Sequence, residues 1–274
     1  MRRNADFEFR FFLKGPILPA MQPIRTALVV LLFCSGALFA KAPATTHYLA
    51  PNALNVRALL PGPPAQGSAA NQADIDAVLR RQARRTPEQI ARAKAEADLS
   101  PAAFAPVFGK WFTAEKLPLT FALLKNATED AEAISGAAKS YWNRPRPPFQ
   151  DAAIHPAVPV PPNASYPSGH AMRGTLWAAI LSQLAPEKAG LLRGRGEQIG
   201  EDRIIAGVHF PTDVAGGRTL GQALAKRFLA NAEFQHDLAR AAVEFATAQP
   251  RSPEWFEGEG RTDMPGRFDF PMVW

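Results

Sequence analysis

Apolar residues recur along most of this chain at spacings of three and four, and nowhere with the alternation of a strand. From Asn71 onward, Ile75, Val78 and Leu79 fall at i, i+3 and i+4, which puts them on one helical face. Thr86-Pro87-Glu88-Gln89 reads as a helix start, with Thr86 as N-cap, Pro87 at the first helical position and Gln89 placed to reach back to the cap. Ser100-Pro101 opens another helix. Leu117 to Ala138 is alanine-rich and apolar on more than one face, which predicts a central helix with Lys139 at its C-terminal end. Asn143 to Pro162 is too dense in proline to be anything but loop. Ser168 caps a helix through Met172, Leu176, Ile180 and Leu184. Pro186 starts one that runs toward Arg203, Pro211 one through Leu220, Leu224 and Phe228, and Asn231 a last amphipathic helix through Phe245. Gly216, Gly217 and Gly221 predict a close approach between helices. The pattern predicts an all-α fold, a helical bundle.

The ends of the chain have a different texture. Met21 to Arg25 is a short positive segment, Thr26 to Phe39 an apolar run, and Ala40-Lys41-Ala42 a small-residue cleavage pattern, the three parts of a secretory signal. The expected organisation is a leader over 1–42, with Met21 as a second candidate start, a proline-rich extended arm over 43–70, a helical domain over 71–249 and a coil tail over 250–274. The leader directs the protein to the periplasm or outside the cell. Its apolar run is shorter than the roughly 18–20 residues a membrane span needs, and no later run is long enough either.

Charge changes the picture little. The whole chain carries +6, but residues 1–42 account for +4 of it and the remainder only +2. A near-neutral mature chain removes most of the support for a nucleic-acid partner. The only cysteine is Cys34, in the leader, so the mature chain is expected to have no disulfide and no thiolate metal site. Oligomeric state is open, with a homo-oligomer allowed.

Three clusters carry the chemistry. Lys139, Arg146 and Pro147 form K-x6-R-P; Pro167, Ser168, Gly169 and His170 form P-S-G-H; Arg203, His209 and Asp213 form R-x5-H-x3-D. Together they supply three cations, a small-residue turn, two histidines and a carboxylate, which suffices to hold a tetrahedral oxyanion, attack its central atom and protonate what leaves. Taken singly, each has a plainer explanation. Ser168 is a good N-cap, lysines and arginines are usually solvated, and His209 could be a core histidine satisfied by a local carboxylate. It is their joint occurrence, in order, that favours the phosphate reading.

The same order resembles the three-part signature of the type 2 phosphatidic acid phosphatase superfamily, which also includes vanadium-dependent haloperoxidases. The flanks Tyr141-Trp142-Asn143-Arg144-Pro145-Arg146-Pro147 and Ala164-Ser165-Tyr166-Pro167-Ser168-Gly169-His170 are most similar to the soluble bacterial class A non-specific acid phosphatases. The resemblance implies the acid phosphatase and haloperoxidase type of helical bundle. It also implies a metal-independent enzyme with no cofactor, acting on small phosphate monoesters. Lys139, Arg146, Ser168, Gly169 and Arg203 would bind phosphate. His209 would be the nucleophile, Asp213 would accept from its other ring nitrogen, and His170 would be the general acid, charged when substrate binds. Arg144, outside the motif spacing, is expected at the surface or rim.

Asp202 stands where the family usually has serine. If it faces the pocket, it either neutralises Arg203, repels a phosphate dianion, or pairs with Arg203 and holds its fork in place. The alternatives on the same scaffold are a vanadate-dependent haloperoxidase and a lipid or pyrophosphate phosphatase. A non-catalytic phosphate binder is a further one, disfavoured because binding alone needs neither histidine.

Overall fold

A computed structural model describes residues 46–250. The expected leader and most of the expected tail lie outside the described residues. Within them the chain forms nine α-helices and three 3-10 turns, with no strand. The helices are α1 (Val56–Leu59), α2 (Ala69–Arg84), α3 (Pro87–Ala95), α4 (Ala105–Phe108), α5 (Pro118–Trp142), α6 (Gly169–Leu184), α7 (Ala189–Ile205), α8 (Pro211–Leu229) and α9 (Ala232–Ala248). Among the described residues, none of these is long and apolar enough to cross a membrane.

The helix starts follow local chemistry. Thr86 Oγ1 accepts from the Gln89 amide while Gln89 Oε1 accepts from the Thr86 amide, so both orphan donors at the start of α3 are satisfied. Pro118 and Pro211 stand at first positions of α5 and α8, where a missing N–H costs nothing. Several boundaries differ from the sequence pattern: Pro101 and Pro186 open 3-10 turns (Pro101–Phe104, Pro186–Lys188) rather than α-helices, and α5 runs past Lys139 to Trp142. α2 begins at Ala69, because Ser68 caps it by accepting from the Asn71 amide. The arm, expected to be extended throughout, forms the single turn α1 between Pro51 and Pro61, capped by Asn55. The arm is anchored by the buried carboxylate of Asp130 on α5, which accepts from the amides of His47, Tyr48 and Leu49 at 2.7–2.9 Å.

α6 lies at the centre, against α5, α7 and α8, and buries Met172, Leu176, Trp177, Ile180 and Leu181. Phe104, Phe112, Phe228 and Phe234 complete the main core. Glycines set how closely the helices approach. A Cβ on Gly174 would meet the Gly196 carbonyl oxygen at 2.7 Å, and one on Gly221 the Met172 carbonyl at 2.6 Å. Gly196→Ala, facing the Gly174 carbonyl, is therefore expected to destabilise by about 1–3 kcal/mol from overpacking. That outweighs the roughly 1 kcal/mol alanine gains in helix propensity, and urea denaturation reads the sign. Gly217 packs against the Ser168 carbonyl, so this tight packing also sets the height of the turn that opens α6.

Candidate active site

The three motifs meet at one cavity of about 440 Å³, whose wall includes Lys139, Arg146, Gly169, His170 and His209. Ser168, Arg203 and Asp213 are buried and do not line it: Ser168 precedes Gly169, Asp213 lies behind His209, and Arg203 is near enough to His170 to act on its charge. α5 delivers Lys139 in its last turn and ends at Trp142 because Asn143 takes a left-handed conformation (φ 41°), which asparagine tolerates. Pro145, Pro147 and Pro148 then keep the chain out of α-helix, leaving only the 3-10 turn Pro147–Phe149, and it turns back to bring Arg146 beside His209.

Lys139 Nζ donates to the Ala164 carbonyl at 2.6 Å. Burial, with the Arg146 charge adding to it, pushes its pKa down to about 7. Arg146 is clamped: Nε donates to Asn163 O at 2.8 Å, one terminal nitrogen to Asn163 Oδ1 at 2.6 Å and the other to Val208 O at 2.8 Å. At the start of α6, Ser168 Oγ accepts from the Ala171 amide and Ser168 O from the Met172 amide. The first two amides, of Gly169 and His170, are left for a ligand. Gly169 is not needed for its backbone angles. A Cβ there would meet nothing within 4 Å, so the missing side chain keeps the space above those amides open.

His209 is fully enclosed and its ring is oriented from both sides. Nε2 lies 3.1 Å from an Arg146 terminal nitrogen, which can only donate, so Nε2 holds the lone pair. Nδ1 then carries the proton and faces Ser165 Oγ at 3.3 Å and Asp213 Oδ2 at 3.5 Å. The carboxylate is the acceptor expected for this nitrogen, and it is within reach of it. Ser165 is a second partner of both groups, its hydroxyl also donating to Asp213 Oδ2 at 2.5 Å. Asp213 Oδ2 also accepts from the Phe210 amide at 2.8 Å, tying it to the start of α8. Burial, opposed by Asp213 and reinforced by Arg146 and Lys139, lowers the His209 pKa to about 3. For Asp213, burial pulls upward but His209, Arg144 and Ser165 outweigh it, and the pKa falls to about 2.

His170 Nε2 lies 3.0 Å from the Glu96 carbonyl, so it donates, and Nδ1 faces an Arg173 terminal nitrogen at 3.3 Å. Burial, then Arg203 and Arg173, lower its pKa to about 2. The ligand-free ring is therefore neutral, so the charge its role calls for must come from the bound substrate. Arg203 makes one long bond, to Ala93 O at 3.4 Å, and its buried Nε has no partner among the described residues.

Two expectations are corrected. Arg144 is not a surface or rim cation. It is 4 % exposed and joins Asp213 (2.7 Å) to Asp74 on α2 (2.8 Å), with further bonds to Thr212 and Asn71. Asp202 makes its hydrogen bonds elsewhere than to Arg203: it takes a two-pronged bond from Arg92 on α3, both arms 2.7 Å, and acts on Arg203 only through its charge, which favours the charged guanidinium. The motif reading also missed Ser165, Asn163 and Arg173, all of which touch a motif side chain.

A protein-family model for the PAP2 superfamily matches residues 118–235, which span all three clusters. A non-specific acid phosphatase of Salmonella typhimurium is 33% identical over 200 residues, covering 70% of this chain and 80% of that protein. One from Providencia stuartii is 33% identical over 238 residues, covering 78% and 96%. The chain belongs to the PAP2 superfamily. In solved structures, a bacterial vanadium-dependent iodoperoxidase superposes with a TM-score of 0.51 at 16% identity, over 65% of this chain and 54% of that one, so the PAP2 bundle is shared while the sequences have diverged. Among the described residues no group of three or more His, Cys, Asp or Glu could hold a metal ion. His47 and His236 instead pair with Glu129 and Asp237.

Proposed function

We propose that this protein is an acid phosphatase hydrolysing small phosphate monoesters through a phosphohistidine at His209, without a metal, in the periplasm or outside the cell. The observation that carries the reading is the orientation of His209. His209 lines a cavity walled by cations and keeps its Nε2 lone pair, held by the Arg146 guanidinium until a phosphoryl group takes that guanidinium up, while Ser165 and Asp213 take up the proton side of the ring. The phosphatase relatives support the reaction class. Lys139, Arg146, Arg203 and the first amides of α6 surround the phosphoryl oxygens and favour the transition state, where negative charge spreads over them. Nε2 attacks phosphorus, the P–N bond forms and the ester P–O bond breaks, and His170 delivers a proton to the departing oxygen. Water then attacks the phosphohistidine, His170 takes its proton, and phosphate leaves. Asp213 stabilises the positive ring throughout.

The acid preference has a physical source in this scheme. A neutral His170 cannot donate the required proton unless it first receives one. A phosphate monoester binding as the monoanion, which dominates below about pH 6, carries that proton in. The nucleophile imposes no acid limit in the working range, since His209 stays neutral down to about 3. Lys139 limits the alkaline side, because its charge is present below about 7 and lost above. Hydrolysis of a chromogenic aryl phosphate is expected to resist EDTA, to be inhibited by vanadate, and to show kcat/KM falling as pH rises through about 7. The kcat limb is expected at higher pH, since bound phosphate holds the Lys139 proton. EDTA-sensitive turnover, or kcat/KM rising through that range, contradicts the reading.

A further inference from the structure

Arg173 lies on the same cavity wall as Lys139, Arg146 and His209, yet none of the three motifs includes it. Its place follows from His170. The group that protonates the leaving oxygen must lie beside it, and an Arg173 terminal nitrogen is 3.3 Å from the same imidazole. Whatever the leaving oxygen is attached to therefore projects toward Arg173.

The guanidinium there is under-used. Arg144 and Arg146 hold their carboxylate and carbonyl partners at 2.6–2.8 Å. Arg173 reaches only Leu99 O at 3.4 Å, Glu132 Oε1 at 3.4 Å and His170 Nδ1 at 3.3 Å. Its buried Nε has no partner among the described residues. The arginine with comparable slack is Arg203, which the phosphatase reading gives to the scissile phosphate. Glu132 is on α5 with its side chain 55% exposed, so its pairing with Arg173 is weak and easily exchanged. Three residues on from Glu132, Ser135 lines the same cavity at 3% exposure, and its hydroxyl has no partner among the described residues. A buried unpaired hydroxyl is costly, and a ligand atom in the cavity would relieve it.

We propose that Arg173, helped by the Ser135 hydroxyl, forms a subsite for a second anion on the leaving group. That anion is a carboxylate or a further phosphoryl within a few bonds of the scissile phosphorus. Glu132 occupies the guanidinium until such a group arrives. The subsite rests on the phosphatase reading above and refines its substrate class. The chemical step is unchanged: the P–O bond to the leaving oxygen breaks, the proton goes to that oxygen, and the second anion departs still attached to it. A phosphoryl leaving group also suits the weakly basic His170, because a phosphate oxygen needs less protonation than the alkoxide that a carboxylate-bearing alcohol would leave as.

The test compares kcat/KM for phosphoglycolate and for inorganic pyrophosphate, each relative to ethyl phosphate, in the wild type, Arg173→Gln and Glu132→Gln. Arg173→Gln is expected to lower the relative value for the anionic substrates about tenfold to a hundredfold, as for the loss of a charge-assisted hydrogen bond. Glu132→Gln, at an exposed position, is expected to raise it severalfold, a gain that misfolding cannot produce. A shift for phosphoglycolate alone identifies a carboxylate, and one for pyrophosphate alone a phosphoryl. Equal changes for all three substrates in both variants mean that Arg173 serves only His170, and the subsite is overturned. His209→Ala is run alongside: activity surviving there sinks the phosphohistidine mechanism, whatever the substrate ratios do.

Discussion

His209→Ala lowers kcat by about 10⁴-fold or more, the scale of nucleophile loss in enzymes with a covalent intermediate, with the helical circular dichroism unchanged. The size follows from the lack of a substitute. The other histidine of the cavity, His170, donates through Nε2 to the Glu96 carbonyl and has its Nδ1 beside Arg173, where the scheme uses it as acid and base on the leaving-group side. His209→Gln is expected to be as inactive, although it keeps much of the volume, because an amide nitrogen is not nucleophilic. Phosphate binding should largely survive in both variants, since Lys139, Arg146, Arg203 and the α6 amides remain. Inhibition by inorganic phosphate measures it. A loss of binding as large as the loss of turnover would point to a collapsed site instead.

Arg144→Ala is expected to produce the largest loss of stability, about 3–5 kcal/mol, because it leaves buried charge without its partner. The guanidinium is 4 % exposed and sits between two carboxylates, Asp74 at 4% and Asp213 at 0%, with its planar face over the Phe210 ring at 4.0 Å. Removing it leaves both carboxylates unpaired in the interior. Urea denaturation at pH 7 gives the value. Activity should fall as well, because Asp213 loses the partner that fixes Oδ1 while Oδ2 serves Ser165 and Phe210. Arg144→Lys is expected to recover little, since one ammonium cannot span both carboxylates. If Arg144→Ala shifts stability by less than about 1 kcal/mol, the range of a surface ion pair, the buried network is misassigned.

The helices were legible because their starts are written in short motifs. Thr86-Pro87-Glu88-Gln89, Ser168 before Gly169, and Pro211 each bring their own cap. The all-helical bundle followed from the periodicity between them. The motif residues were legible for the same reason, since each cluster lies within one short stretch of chain. The partners that orient them are distant in sequence and were not. Asp74 and Asp213 lie 70 and 69 residues from Arg144, and nothing local tells a buried arginine in a proline-rich loop from an exposed one. One signal was present: Asp74 adjoins Ile75 and precedes Val78 on the buried face of α2, and a carboxylate there needs a cation. Arg173 left a similar trace as the only charged residue of α6. Asp202 misled through adjacency. Consecutive helix residues point in directions about 100° apart, so Asp202 and Arg203 meet different groups of α3, the Arg92 guanidinium and the Ala93 carbonyl.

The measurement that bears most directly on the central claim is rapid acid-free trapping of the enzyme during turnover of an aryl phosphate, followed by peptide mass spectrometry. The account predicts a phosphoryl group on His209, absent from His209→Ala and lost on brief exposure to acid, as a phosphoramidate should be. Active enzyme with full turnover and no phosphorylated histidine, or with the phosphoryl group on another residue, would contradict it.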